Sequence, residues 1–253
     1  MQAGGHPERR LALVVMVAVL TSACVFGGPT PTPRTACPTA APTADQATSI
    51  LANAAEAVMQ TSKGSFTINL YGDRAPIATA NFVALARCGF YDGITFHRVV
   101  AGFVIQAGDP QSKQNHGIFD GLGTGGPGYG FAIEAPAPGV AYDKYVVAMA
   151  NTGQPNSNGS QFFIDLADLP QLPLNYTIFG KVTDGASVVD AIGQVPTNGT
   201  PDTGPQNVPL DPVVIQSISL RGNAQPSQGL DGFDLAWRPI DRLRCKGFLT
   251  LNH

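Results

Sequence analysis

The sequence has 253 residues, of which 43% are hydrophobic and only 13% are charged, and its formal net charge is −3. This weakly acidic balance supplies no basic surface for phosphate groups, so nucleic acid is excluded from the expected partners. The 29 glycines and 21 prolines favour many turns between short strands and disfavour a helical bundle.

The first 23 residues have the layout of a secretory signal peptide. Arg9 and Arg10 precede an apolar run that ends at Leu20, and three small residues then lead to Cys24. The run is too short for a stable membrane-spanning helix. Its end, Leu-Thr-Ser-Ala-Cys, resembles a bacterial lipobox, which implies that Cys24 is lipidated and becomes the new N-terminus. Ordinary cleavage and an uncleaved anchor are the alternatives.

Residues 24–61 are predicted to form a lipidated tether and a short leading helix. Proline, threonine and alanine dominate residues 27–43, a composition that cannot bury apolar surface and favours an extended, semi-rigid segment. The same composition fits a leader with no spacing role. Good helix formers with an apolar stripe then predict the helix within residues 44–60.

The remaining cysteines have no spacing typical of a metal or redox site. Cys37, Cys88 and Cys245 lack a CxxC or histidine-flanked pattern. A disulfide between Cys37 and Cys245 is one interpretation, and two unpaired surface thiols are the other. Cys88 is interpreted as a small buried side chain.

Short strands dominate the chain up to residue 221. Alternating apolar and polar residues predict a strand over 63–71, and an amphipathic pattern predicts a helix from Pro76 to residue 86. A second helix is predicted at residues 186–192. Further strands are predicted at residues 95–99, 103–108, 144–150, 161–166, 177–182 and 213–220. Many strands with two helices near the ends suggest a barrel capped by helices.

Four segments carry the most specific pattern in the sequence. They span residues 90–109, which contain Ile-Thr-Phe-His-Arg-Val, then 123–131 with Glu134, 147–164 and 172–182. Together and in this order they resemble the signature of the cyclophilin-type peptidyl-prolyl cis-trans isomerases. With its flanking elements the resemblance covers residues 62–221, a full domain by size. It implies a mainly β fold, a closed eight-stranded antiparallel β-barrel capped by two α-helices.

The resemblance also implies a role for individual residues of these segments. Arg98 is implied to be the catalytic arginine, with Gln106 as its hydrogen-bonding neighbour. The residues implied to form the proline pocket are Phe103, Val104, Phe163 and Leu172. Those implied to lie along the substrate groove are Ala150, Asn151 and Gln161, with Tyr176 at a place often filled by histidine.

An arginine suits this reaction because no bond has to break. Resonance opposes rotation about the X–Pro amide with a barrier of about 18–20 kcal/mol, and the twisted state restores a lone pair on the prolyl nitrogen. A permanently charged guanidinium interacts more strongly with that nitrogen than with the planar amide. The reaction needs no general base, cofactor or metal, so none is expected. The adjacent His97 is predicted to make a structural hydrogen bond.

The predicted function is isomerisation of X–Pro bonds in exported proteins. We expect a monomer, lipid-anchored at the outer face of the cell membrane or in the periplasm, whose partners are proline-containing peptides and unfolded or folding exported proteins. The competing hypothesis is a module that binds proline segments without turning them over, or a general chaperone. Retention of Arg98 with Gln106 favours turnover, because proline binding alone requires only the apolar pocket.

Residues 222–253 lie beyond the resemblance. They contain the only tryptophan, Trp237. The run at 241–246 is compatible with a short helix docked on the barrel and with a loosely ordered tail. No role is predicted for this extension.

Overall fold

The computed structural model describes residues 34–222, apart from 115, 138 and 201–203, together with the first residue. The remainder of the predicted signal peptide, the lipidation site Cys24 and the extension after residue 222 lie outside the described residues. Within the described part of the chain, no helix is long and apolar enough to cross a membrane.

Eight strands form one antiparallel sheet, and the fold is mainly β as predicted. The strands are β1 (Glu56–Thr61), β2 (Gly64–Leu70), β3 (Arg98–Val100), β4 (Val104–Ala107), β5 (Val146–Met149), β6 (Phe162–Asp165), β7 (Ile178–Asp184) and β8 (Ile215–Arg221). Their spatial order is β3-β4-β6-β5-β7-β2-β1-β8, and every neighbouring pair is antiparallel.

The sheet curls so that the segments beside its two edge strands meet. The Phe96 amide donates to the Val213 carbonyl at 2.9 Å, and the Ile215 amide donates to the Ile94 carbonyl at 2.8 Å. These bonds join the segment before β3 to the start of β8. The two edges are therefore tied to each other, which removes most of the unpaired backbone that an open sheet would expose.

The predicted leading helix is wrong in its second half. Helix α1 covers only Ala44–Leu51, and Asn53 adopts a left-handed conformation (φ 60°) that stops it. The residues that follow form β1, which pairs with β2 on one side and β8 on the other. The alanine-rich sequence has good helix propensity, but pairing with two strands outweighs propensities worth a few tenths of a kcal/mol per residue. The sheet thus starts at Glu56, before the boundary expected at residue 62.

Two further helices agree with the sequence predictions. Helix α2 covers Pro76–Arg87 and helix α3 covers Ala186–Ile192. The first-turn amides of α2, at Ile77 and Ala78, donate to the Glu134 carboxylate at 3.0 and 2.7 Å. This contact satisfies amides that have no partner within the helix and fixes the loop around Glu134 against α2.

Side chains alternate across the sheet and build two apolar clusters. Phe162 of β6 packs in the larger cluster, where its ring meets Phe82 of α2 edge to face at 5.8 Å. Phe163 points to the opposite face and joins the smaller cluster. The smaller cluster consists of Val104, Tyr142, Val146, Ala148, Phe163, Leu169 and Ile178.

The disulfide interpretation is corrected by the structure. Cys37 is bonded to Cys88, at the end of α2, with a Cα–Cα distance of 5.1 Å. Cys88 is therefore neither free nor a simple core residue, and Cys37 has no thiol left for Cys245. The segment before α1 is also held by an Arg34–Asp92 ion pair at 2.7 Å. These contacts join the start of the described chain to the sheet domain.

Candidate active site

Arg98 begins β3 and lies half-buried at the mouth of a pocket. Its guanidinium carbon is 5.8 Å from the centre of the Phe103 ring, and it makes no salt bridge with any described residue. Burial lowers the pKa of Arg98 from its ordinary value. Because a guanidinium ordinarily titrates so far above neutral pH, it remains a cation there. The site therefore presents a charge that no carboxylate neutralises.

The pocket brings together nine of the ten residues implied to bind substrate or catalyse. Its volume is about 190 Å³. Its lining residues are Arg98, Phe103, Val104, Gln106, Ala150, Asn151, Phe163, Leu172 and Tyr176. They come from β3, β4, β6 and the loops after β3, β5 and β6, so only the folded sheet assembles them.

Aromatic packing shapes the apolar wall of this pocket. The Phe163 and Tyr176 rings meet edge to face at 5.3 Å. The Tyr142 hydroxyl donates to the Tyr176 carbonyl at 2.9 Å and accepts from the Tyr176 amide at 3.1 Å. Tyr142 thus holds the loop that carries Tyr176 and Leu172. Sequence reasoning missed Tyr142, which lies in a segment with no motif of its own.

Gln161 is the predicted site residue that does not line the first pocket. Its side-chain oxygen accepts from Gln106 at 3.0 Å, and its nitrogen donates to the carbonyls of Gly123 and Gly125, both at 2.8 Å. Gln106 in turn accepts from Arg98 at 3.5 Å. The side-chain amides of Gln161 and Gln106 therefore connect the glycine-rich loop, residues 123–130, to the guanidinium of Arg98.

A second cavity, of about 450 Å³, lies beside the first and shares Gln106, Ala150 and Asn151 with it. The glycine-rich loop forms one wall of this cavity. The buried Asp109 carboxylate holds that loop by accepting from the Gly123 amide at 2.6 Å. Asp109 was not among the predicted site residues, although Asp-Pro at 109–110 is a recognisable helix-capping pattern.

Asn151 lines both cavities, and its side chain is already bonded within the protein. Its side-chain nitrogen donates to the Asn175 carbonyl at 3.0 Å and its side-chain oxygen accepts from the Gly153 amide at 2.9 Å. The Ala150 amide is likewise occupied, since it donates to the Gln161 carbonyl at 2.9 Å. The Asn151 side chain and the Ala150 amide therefore shape the rim of the groove, and both are hydrogen-bonded to other groups of the free protein.

His97 is buried beside the Thr95 backbone and the Gln161 side chain, and its interactions with both favour the charged imidazole. Neither ring nitrogen makes a hydrogen bond of normal geometry with a described residue, so the expected structural hydrogen bond is present only in a distorted form. Burial lowers its pKa to about 4, the nearby Arg98 charge also lowers it, and Asp109 opposes the shift. His97 is therefore neutral at pH 7 and carries no charge into the site.

The described residues contain no group of three or more side chains placed to hold a metal ion. What they do contain is a curled antiparallel sheet with a cationic side chain over an apolar pocket and a groove beside it. A pocket with a cation beside it and an adjoining groove is the kind of site that binds a short extended peptide.

Comparison with known proteins narrows the class. The family model described as cyclophilin type peptidyl-prolyl cis-trans isomerase/CLD matches residues 57–220. Peptidyl-prolyl cis-trans isomerase A of Mycobacterium tuberculosis is 44% identical over 184 residues, which cover 66% of this chain and 92% of that protein. The peptidyl-prolyl cis-trans isomerase of Helicobacter pylori is 42% identical over 146 residues, covering 57% of this chain and 83% of that protein.

Solved structures agree with these relatives. A crystal structure of a Cryptosporidium parvum cyclophilin type peptidyl-prolyl cis-trans isomerase has a TM-score of 0.57 and 33% identity, and covers 67% of this chain and 99% of its own. A structure of the same protein in the presence of the dipeptide Ala-Pro has a TM-score of 0.57 and 34% identity, covering 66% and 99% of the two chains. The chain therefore belongs to the cyclophilin family and is a peptidyl-prolyl cis-trans isomerase.

Proposed function

We propose that this isomerase accelerates the folding of exported proteins by rotating their X–Pro bonds, with Arg98 as its catalytic residue. The observation that carries the assignment of Arg98 is its half-buried guanidinium at the mouth of an apolar pocket, without a carboxylate partner. The guanidinium makes one hydrogen bond among the described residues, to Gln106. Its other donors are therefore available to a substrate.

The reaction requires stabilisation of a twisted amide. In the twisted state the prolyl nitrogen becomes pyramidal and accepts a hydrogen bond that the planar amide cannot accept. Arg98 donates that bond and so binds the twisted state more tightly than either planar isomer. Gln106 and Gln161 keep the guanidinium aimed at one point, since they link it to the glycine-rich loop.

The apolar wall binds the proline ring while the preceding carbonyl moves. Phe103, Val104, Phe163 and Leu172 offer aromatic and aliphatic surface, which suits a ring without hydrogen-bonding groups. The Ala-Pro dipeptide in the Cryptosporidium structure supports a proline-containing ligand for this site. The neighbouring 450 Å³ cavity accommodates residues beside the proline.

Export to the outer face of the membrane is supported by two features of the chain. The signal-like N-terminus ends in the lipobox-like Cys24. In addition, the Cys37–Cys88 disulfide fits an oxidising compartment, because cytosolic thiols are normally kept reduced. A monomer on a lipid anchor would meet exported chains as they emerge.

Exchange NMR on a blocked Ala-Pro peptide tests the catalytic assignment against a non-catalytic binding module. We expect the intact protein to accelerate cis–trans exchange, and Arg98→Ala to bind the peptide while losing most of the acceleration. Peptide binding without acceleration by the intact protein favours the binding module. Near-normal acceleration by a folded Arg98→Ala variant contradicts the role of Arg98.

Palmitate labelling in the producing cells tests the anchor. We expect label on the intact chain and none on Cys24→Ser, which should also leave the detergent phase in a phase-separation assay. Cys245→Ser is the matched control, because it removes a cysteine outside both the lipobox and the Cys37–Cys88 disulfide. Equal labelling of intact and Cys24→Ser chains would rule out lipidation at Cys24.

A further inference from the structure

The side chain of Asp165, the last residue of β6, has no hydrogen-bond partner in the described part of the chain. Its side chain is 0% exposed, and neither carboxylate oxygen has a hydrogen-bond partner among the described residues. Buried carboxylates are normally paired, because removing an isolated charge from water costs several kcal/mol or more. The isomerisation mechanism described above does not use this carboxyl group.

The position of Asp165 connects it to the proline pocket. Along β6 it lies two residues after Phe163, so both side chains project from the same face of the sheet. On β4 its register partner is the pocket residue Val104. The next residue, Leu166, donates its amide to the Phe103 carbonyl at 2.8 Å. Asp165 is thus adjacent to the pocket residues Val104 and Phe163 in the sheet, and the following residue is hydrogen-bonded to a third pocket residue, Phe103.

Among the described residues, no cation forms an ion pair with Asp165. From the segment before β5, Asp143 repels a negative charge, and the Tyr142 hydroxyl is already bonded to Tyr176. On the neighbouring segments, Lys181 is paired with Asp143 at 3.9 Å and Lys144 with Asp190 at 3.1 Å. From the segment after β6, Asp168 is negative and accepts from the Lys144 amide. Strand β4 presents no ionisable side chain in Val104–Ala107.

These surroundings favour the neutral acid. Burial, with a smaller contribution from Asp143, raises the pKa of Asp165 to about 8. The protonated carboxyl group is compatible with the smaller apolar cluster at neutral pH. An ionised one would draw water between Val104 and Phe163, because a carboxylate without partners in that cluster must be solvated.

We propose that Asp165 is a positioning residue of the proline pocket, whose uncharged side chain keeps Val104 and Phe163 in place and whose ionisation opens the pocket. The inference rests on the proposed function of that pocket. Its effect is on peptide affinity: KM for an Ala-Pro peptide rises severalfold across the ionisation, while kcat changes less because Arg98 is untouched.

The test compares pH profiles of intact protein, Asp165→Asn and Asp143→Asn with a peptide blocked at both ends. Between pH 6.5 and 9.5 we expect KM of the intact protein to rise severalfold with a midpoint near pH 8, and KM of Asp165→Asn to stay flat. Asp143→Asn is the matched control. KM of Asp143→Asn should still rise with pH, but with a midpoint at lower pH, because the negative charge of Asp143 raises the pKa of Asp165. A rise of equal size and midpoint in Asp165→Asn, or a flat profile for the intact protein, overturns the proposal.

A second measurement on the intact protein needs no substitution. Carboxyl-carbon NMR follows the protonation of Asp165, and the Phe163 ring signals report on the pocket. We expect the Asp165 carboxyl signal and the Phe163 ring signals to change at the same midpoint pH. Separate midpoints, or a Phe163 ring that does not respond, overturn the role of Asp165 even if the Asn variant fails to fold. Absence of isomerase activity at every pH would instead contradict the proposed function, and the NMR titration would still decide the role of Asp165.

Discussion

Gln106 lies directly opposite Arg98 in the β3–β4 pair, and its side-chain oxygen is 3.5 Å from the nearest guanidinium nitrogen. This long hydrogen bond orients the guanidinium from one side. It leaves the other donors of Arg98 unpaired by any carboxylate among the described residues. Hydrogen bonds of catalytic groups are often long in the free enzyme and shorten when substrate is bound.

Arg98→Lys should show whether the shape of the guanidinium matters beyond its charge. We expect kcat/KM to fall by about ten-fold to a hundred-fold, because lysine keeps the charge but lacks the planar set of donors. Protease-coupled kinetics on an Ala-Pro peptide measure this. Arg74→Lys is the matched control, since Arg74 also stacks on an aromatic ring, Tyr71 at 4.6 Å, but does not line the pocket. Equal activities of the two variants would contradict the assignment.

Gln161→Ala should weaken catalysis without removing the pocket. Gln161 touches Gln106 and two loop carbonyls, so its loss should let Gln106 and Arg98 rotate. We expect kcat/KM to fall by roughly ten-fold, together with broadening of the Arg98 side-chain NMR signal. Gln111→Ala is the control, because Gln111 contacts the same loop at Thr124 but not Gln106. Full activity of Gln161→Ala with a sharp Arg98 signal would exclude this positioning role.

Reduction of the Cys37–Cys88 disulfide should destabilise the domain. The bond joins residues 51 positions apart, and closing a loop of that length typically contributes about 2–4 kcal/mol. We expect urea unfolding with reductant to show a loss of that size, and the double variant Cys37→Ser/Cys88→Ser to show it without reductant. The double variant should no longer respond to reductant. Unchanged stability of the reduced protein would show that the bond does not constrain the unfolded chain as expected.

His97 should make the protein less stable in acid. Its pKa in the folded state is about 4, against 6.5 ordinarily, so the unfolded chain binds a proton that the native state rejects between these values. Stability contributed by neutral His97 is present above pH 6.5 and is lost as the pH falls towards 4, by about 2 kcal/mol at pH 5. Urea unfolding at pH 7 and pH 5 should show the intact protein losing about 2 kcal/mol relative to His97→Gln, because the opposite effect of Asp165, whose pKa is raised, is common to both proteins. His116→Gln replaces an exposed histidine and should change with pH as the intact protein does, so an equal change in all three proteins would exclude His97 as the cause.

Local sequence was sufficient for elements whose pattern agrees with their surroundings. Helix α2 was predicted to begin at Pro76 because proline suits the first helical position and the apolar residues recur at helical spacing. Strand β2 was predicted from simple alternation. Strand β1 was misread, since its residues favour a helix until two partner strands supply hydrogen bonds, and one of these strands lies 154–165 positions away in the chain.

The sequence by itself determined the family, through four ordered motif segments, and with it the residues expected around Arg98. Only the tertiary structure decided that Cys37 pairs with Cys88 and that Gln161 reaches Arg98 through Gln106. It also decided that the Asp165 side chain is buried without a hydrogen-bond partner among the residues that the structure describes. The physical reason is that motif residues are recognised from nearest neighbours in the chain. Pairing, burial and solvation instead depend on distances between segments that only the curled sheet brings together.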